Sequence, residues 1–169
     1  EITKVARDAT RSAPAWSPDG TRLAYVSGGD LWLTCLDGSP NRLVQASALR
    51  ASTGFWARKT PLCLDPTWTP DGQAILFLHS TFDGFLNLYR VNADGTGIML
   101  LGETVAGPPA PHPTLPRLAI PYPGGVRLLD LSSLPEKRSI VAVLPKAAEP
   151  CWSPTTPNSS MVPPLKASR

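Results

Sequence analysis

Two apolar runs, Leu23-Ala24-Tyr25-Val26 and Ile75-Leu76-Phe77-Leu78, stand out along the chain. Neither alternates with polar residues, and turn residues bound both closely, so each reads as a short strand buried on both faces. A second kind of run follows each of them. Asp30-Leu31-Trp32-Leu33-Thr34-Cys35 and Asn87-Leu88-Tyr89-Arg90-Val91-Asn92 predict a third strand in each unit, and both lead into an Asp-Gly turn, Asp37-Gly38 and Asp94-Gly95. Shorter stretches, Asn41 to Gln45 and Ile98 to Leu101, predict a fourth. Helix has little claim, because glycine and proline interrupt the windows that would have to carry one.

The units are copies of each other. Pro14-Ala15-Trp16-Ser17-Pro18-Asp19-Gly20 returns as Pro66-Thr67-Trp68-Thr69-Pro70-Asp71-Gly72, and the apolar strands follow at the same phase. The turn chemistry explains the motif: proline presets φ, Asp bonds back to the backbone, and Gly takes the positive φ that closes the hairpin. A third copy is degenerate. It has Pro111-His112-Pro113 in place of the Trp motif, then Leu118-Ala119-Ile120 and the strand from Gly125 to Ser133. A fourth opens at Pro150-Cys151-Trp152-Ser153-Pro154 and stops. Trp16, Trp68, Pro111 and Trp152 are therefore equivalent positions, spaced by 52, 43 and 41 residues. Short strands repeating at about 40 to 45 residues predict four-stranded propeller blades.

The Trp-Ser-Pro-Asp-Gly-x-x-Leu-Ala core at Trp16, with Leu-Trp/Tyr and Asp-Gly downstream, resembles the WD40-like (PD40) repeat of TolB-like propellers and of prolyl-oligopeptidase-type proteins. The resemblance spans residues 5 to 154. It implies an all-β fold, a partial β-propeller of about three four-stranded antiparallel blades, forming an open arc of a propeller that has six to eight blades in the family. It also implies a non-catalytic scaffold for protein–protein interaction, periplasmic or extracellular, since TolB binds other envelope proteins. The alternative it leaves open is the propeller portion of a hydrolase whose catalytic domain lies outside these residues. Residues 1–12 are expected to supply the outer strand of a preceding blade, 13–46 the first blade, 47–64 an inter-blade insertion and 65–102 the second blade. The degenerate third blade takes 103–148, and 149–169 the start of a further blade with an irregular tail. Three blades leave blade faces open, so further blades or self-association are expected to cover them.

Composition narrows the function classes. The 169 residues include 20 Pro and 13 Gly, well above average usage, with 42% hydrophobic residues and five Trp, which is a turn-rich chain with enough apolar surface for a core. The net charge of +3 is too mild to imply nucleic-acid binding, although Arg42, Arg50, Arg58 and Lys59 cluster where no acidic residue falls. No apolar run is long enough for a transmembrane helix, and no signal peptide is read at Glu1. Cys35, Cys63 and Cys151 lack metal or redox spacing and read as small buried hydrophobes, with one bridge left open. No Gly-x-Ser-x-Gly elbow occurs, His79 and His112 have no catalytic partners nearby in sequence, and no cofactor motif is present, so neither an enzyme nor a cofactor is expected.

Residues that recur with the blades are explained by the blades. Trp16, Trp68 and Trp152 read as blade packing, and Asp19, Asp71, Asp37 and Asp94 as turn formers. The departure from the repeat is the long first spacing, which places an insertion between the first two blades. It carries Phe55, Trp56, Arg58 and Lys59, and propeller geometry puts it on the same rim as Ser27-Gly28-Gly29 and the turn from His79 to Gly84, which contains Asp83. Loops on a rigid scaffold are where binding concentrates. Phe55, Trp56, Arg58, Lys59, His79 and Asp83 are thus the candidate residues for a protein partner, held by stacking and charge.

Overall fold

The computed structural model describes residues 12–49, 60–81, 84–132, 139–145, 150–152 and 161–162. Fourteen strands lie among them. They form three four-stranded antiparallel meanders and one two-stranded ladder, every neighbour in a sheet being also the neighbour in sequence. The first sheet holds β1 (Ala15–Trp16), β2 (Arg22–Ser27), β3 (Asp30–Cys35) and β4 (Pro40–Val44). β5 (Leu62–Trp68), β6 (Ala74–Ser80), β7 (Leu86–Asn92) and β8 (Met99–Val105) make the second. The third contains β9 (Ala110–Pro111), β10 (Arg117–Tyr122), β11 (Gly125–Asp130) and β12 (Ser139–Pro145). β13 (Cys151–Trp152) pairs with β14 (Met161–Val162). A 3-10 turn covers Ala46–Ala48.

The repeat builds the turns as its chemistry requires. In the first blade the Ser17 hydroxyl donates to Asp19 Oδ1 at 2.5 Å and accepts the Arg22 N–H at 2.9 Å, while Asp19 also accepts the Thr21 N–H at 3.0 Å. The second blade reproduces this with Thr69, Asp71, Ala74 and Gln73. In each blade the glycine N–H returns to the Ser17 or Thr69 carbonyl at 2.9 Å. The later turns repeat too: Asp37, Asp94 and Asp130 each accept both the N–H and the hydroxyl of the residue two positions on, Ser39, Thr96 and Ser132.

The chain divides into two compact units, residues 1–104 and 105–169. In the first, the Ala24, Val26, Leu31 and Leu33 face of the first blade shares one core with Trp68, Ile75, Phe77 and Val91 of the second. β6 is the most buried element. Ile75, Leu76, Phe77 and Leu78 are at most 1% exposed, which accounts for a strand that never alternates. In the second unit Leu118, Ala119, Ile120 and Val126 are buried, and β12 is exposed at Ile140, Val141 and Val143.

Three local expectations are corrected. Cys35 is exposed rather than buried, because it ends β3 just before the Asp37-Gly38 turn, whereas Cys63 is fully buried. Trp16 is 58% exposed, unlike its buried repeat-mate Trp68 at 5%. The third correction concerns strand β5, which begins at Leu62, so Leu62–Leu64 are strand and not part of the inter-blade connection. A bulge between Leu64 and Thr67, with Asp65 at φ 46 ahead of Pro66, separates them from the Trp motif and hides the strand in the sequence pattern.

Candidate functional site

The rim that holds the turn between β2 and β3 is organised by backbone geometry first. Gly28 and Gly29 form a two-residue hairpin loop, both at positive φ (60° and 86°), as a type I′ turn demands. A Cβ on Gly29 would meet Leu62 Cδ2 at 2.6 Å, so the second blade approaches this turn closely. The Gly29 carbonyl accepts the Cys63 N–H at 2.7 Å. Just beyond, Asp30 holds the start of the inter-blade connection: Oδ1 accepts the Ala46 N–H at 2.9 Å, and Oδ2 faces Arg42 Nη1 at 3.3 Å.

His79 completes this frame. It lies near the end of β6, fully buried, with Nε2 3.0 Å from the Ala46 carbonyl oxygen. That contact makes Nε2 the protonated nitrogen and leaves Nδ1 as a buried acceptor with no hydrogen-bond partner among the described residues. Burial holds the His79 pKa below the usual value, against the smaller opposing effect of the Ala46 bond. The ring also meets Tyr89 edge-on at 5.8 Å between centroids. Across the β5–β6 ladder its partner is Cys63, whose thiol is pushed up to about 12, by burial and then by the Asp30 charge. A thiol so hard to ionise is a core group, and this His–Cys pair is no nucleophilic couple.

The far end of the connection is fixed as well. The Leu62 N–H donates to Ser80 Oγ at 3.0 Å, and the next turn is closed by Thr81, whose hydroxyl accepts the Phe85 N–H at 3.1 Å. Both ends of the long connection are thus clamped onto the first two blades. Of the six residues expected to meet a partner, Phe55, Trp56, Arg58, Lys59 and Asp83 lie outside the described residues. His79 is described, and its position is a correction: fully buried, it holds the base of the loop through Ala46 and offers no surface to a partner. Among the described residues no cluster of His, Cys, Asp or Glu is arranged to hold a metal ion, and no helix is long and apolar enough to cross a membrane.

Two features escape the sequence pattern. The Trp68 indole N–H donates to the Ala15 carbonyl at 2.9 Å, and that of Trp152 donates to the Ala110 carbonyl at 2.9 Å. Ala15 and Ala110 are equivalent, each pairing with the same place in the next strand, Ala24 and Ala119. So the aromatic of one blade is bonded to the first strand of the blade before it. Arg22 adds to the first of these joints, lying 4.8 Å over the Trp68 ring and donating to the Gly72 carbonyl at 2.8 Å. The second missed feature is His112. In the degenerate blade its Nδ1 accepts the N–H groups of Thr114 and Leu115 at 3.1 and 3.0 Å, taking over the work of the Ser/Thr hydroxyl and the Asp carboxylate.

Three four-stranded antiparallel meanders of this kind are blades of a β-propeller, present here as part of one. Among solved structures the chain is similar to a protein assigned as TolB in Agrobacterium tumefaciens, 21% identical, with a TM-score of 0.50 over 81% of this chain and 52% of that one. It is also similar to TolB from Acinetobacter baumannii, 19% identical, with a TM-score of 0.54 over 87% of this chain and 36% of that one. A chain of the mitotic checkpoint complex matches with a TM-score of 0.55 at 14% identity, over 85% of this chain and 40% of that one. These likenesses show the fold. The chain spans about half or less of the length of each of these structures. No family model and no curated protein matches it.

Proposed function

We propose that this chain is a non-catalytic propeller scaffold that binds a protein partner through the rim where the inter-blade connection and the β2–β3 and β6–β7 turns come together. One observation carries the reading: both ends of the long connection are clamped, at Ala46 by Asp30 and His79 and at Leu62–Cys63 by Ser80 and Gly29. A loop with fixed ends presents its side chains at a smaller ordering cost than a free one. The residues it presents, Phe55, Trp56, Arg58 and Lys59, with Asp83 on the neighbouring turn, suit a partner that offers aromatic or anionic groups. A periplasmic or extracellular setting follows from the resemblance to TolB-like propellers.

Capture from a cell-envelope extract tests this with three forms of the tagged chain: unaltered, Trp56→Ala with Arg58→Ala, and Leu36→Ser. Leu36 is exposed beside the Asp37-Gly38 turn, at the opposite end of β3 from the rim, so its change is the control. The double variant is expected to lose its partner at least about tenfold, the usual effect of removing an aromatic and a cationic anchor, while the control keeps it. Equal capture by all three forms contradicts the reading.

A further inference from the structure

His79 occupies a place where the repeat does not call for an imidazole. Ile75, Phe77 and His79 lie two residues apart on one face of β6, and the first two belong to the core that the first and second blades share. Counted from the pairs Trp16–Leu23, Trp68–Ile75 and Pro111–Leu118, the matching place is Ser27 in the first blade and Tyr122 in the third. Blade packing therefore accounts for Ile75 and Phe77 but not for a buried titratable ring.

The ring is bonded on one side. Nε2–H donates to the Ala46 carbonyl, and the buried Nδ1 has no partner among the described residues. Its surroundings offer nothing to a second proton. Cys63 of β5, directly across the ladder, carries a thiol pushed up to about 12 and so stays neutral. Asn87 pairs with His79 from β7, and Tyr89 meets the ring edge-on, its phenol held above the usual value by burial and then by the Glu103 charge of β8. Asp30 of β3 is taken up by the Ala46 N–H and by Arg42 of β4, so it holds the turn and not the ring.

We propose that His79 is a pH-operated latch: neutral, it holds the Ala46–Leu49 turn on the end of β6, and positively charged, it releases that turn while the blades stay folded. The second proton has to go to Nδ1, where the new N–H is a buried charged donor facing no acceptor. The cheapest relief is at the turn. Ala46–Ala48 is a short 3-10 segment, whereas β6 is laddered on both sides, to β5 and β7. Lifting the turn brings the ring to water, where it takes its proton at the usual 6.5, while burial keeps the latched ring below that value. The released state therefore gains population as pH falls below 6.5, by up to about tenfold per pH unit, and stops gaining once the latched ring is itself protonated. The latch needs no partner at the rim, and it holds or fails independently of the function proposed above.

The test is amide hydrogen exchange of the full chain, read residue by residue by nuclear magnetic resonance between pH 8 and pH 5 and expressed as protection relative to an unfolded chain. Three amides decide it. Ala46 N–H bonds to Asp30 and Leu49 N–H to the Ala46 carbonyl, both in the turn, while Thr69 N–H bonds to the Ala74 carbonyl at the other end of β6 and reports opening of the sheet. Protection at Ala46 and Leu49 is expected to fall at least about fivefold more than at Thr69. In His79→Gln, whose side-chain amide can donate to the same carbonyl without titrating, that extra fall disappears; in Asp30→Asn, which keeps an acceptor for Ala46, it remains. The ring's own titration in the unaltered chain is a second readout, since the fall must level off where the ring is half protonated. Protection that falls equally at all three amides, or not at all, overturns the proposal. So does an extra fall that His79→Gln leaves in place, or one that levels off while the ring is still neutral.

Discussion

His112 shows how a repeat survives the loss of its own residues. The turn before β10 has neither the Ser/Thr hydroxyl nor the Asp carboxylate of the first two blades, yet two backbone N–H groups are satisfied by one imidazole nitrogen. Only a neutral ring with the proton on Nε2 can do this. Burial, and then the nearby Arg117 charge, hold the His112 pKa below its usual value of 6.5, as burial does for His79. Because the folded state prefers both rings neutral, their contribution to stability is complete above 6.5 and is lost as pH falls from there through the depressed values. The turn carboxylates act in a lower window, Asp19 being held down at about 2 chiefly by the Ser17 hydroxyl, so they do not shape the slope just below neutrality. Urea melts at pH 8 and pH 5 are therefore expected to show a less stable protein at pH 5. In His112→Asn, whose amide oxygen can accept the same bonds without titrating, the difference shrinks while stability at pH 8 changes by less than about 1 kcal/mol. Gly125 supplies a second check at this scale. A Cβ there would stand 2.5 Å from the Leu144 carbonyl oxygen, backbone that cannot swing away, so Gly125→Ala is expected to cost about 1–3 kcal/mol in the same melts.

Among the elements, the central strands were the most legible. β2 and β6 announce themselves because each is buried on both faces, and the Pro-Asp-Gly turns fix where they begin. Legibility fails where the chain departs from simple periodicity. The start of β5 is masked by the bulge at Asp65-Pro66, and β9 is masked because Pro111 and His112 replace the aromatic and the hydroxyl that mark it elsewhere. The candidate site was legible only in part, since the pattern locates a long connection but not the clamps beneath it. His79 looks like a loop residue in the sequence, and only the packing of Ala46 against the end of β6 makes it a buried anchor. The blade-to-blade indole bond was equally hidden, because it joins residues 53 positions apart through a backbone carbonyl. It has a measurable weight. Trp68→Phe, which keeps most of the buried ring, is expected to lower stability by about 1 kcal/mol, and Trp68→Ala by about 3–5 kcal/mol. Trp16→Phe, at an exposed ring, is expected to stay within about 0.5 kcal/mol.

For the molecule as a whole, the account rests on one claim: within each compact unit a repeat aromatic, Trp68 or Trp152, is bonded to the first strand of the blade before it. That joint holds neighbouring blades face to face inside each unit. The rim is a separate consequence, since clamping the connection needs the first two blades held face to face. Hydrogen exchange at the indole N–H groups, followed by nuclear magnetic resonance with assigned tryptophan signals, reads the joint directly. The hydrogen-bonded Trp68 and Trp152 protons are expected to exchange orders of magnitude more slowly than that of the exposed Trp16. A Trp68 proton that exchanges as fast as the Trp16 proton would contradict the account.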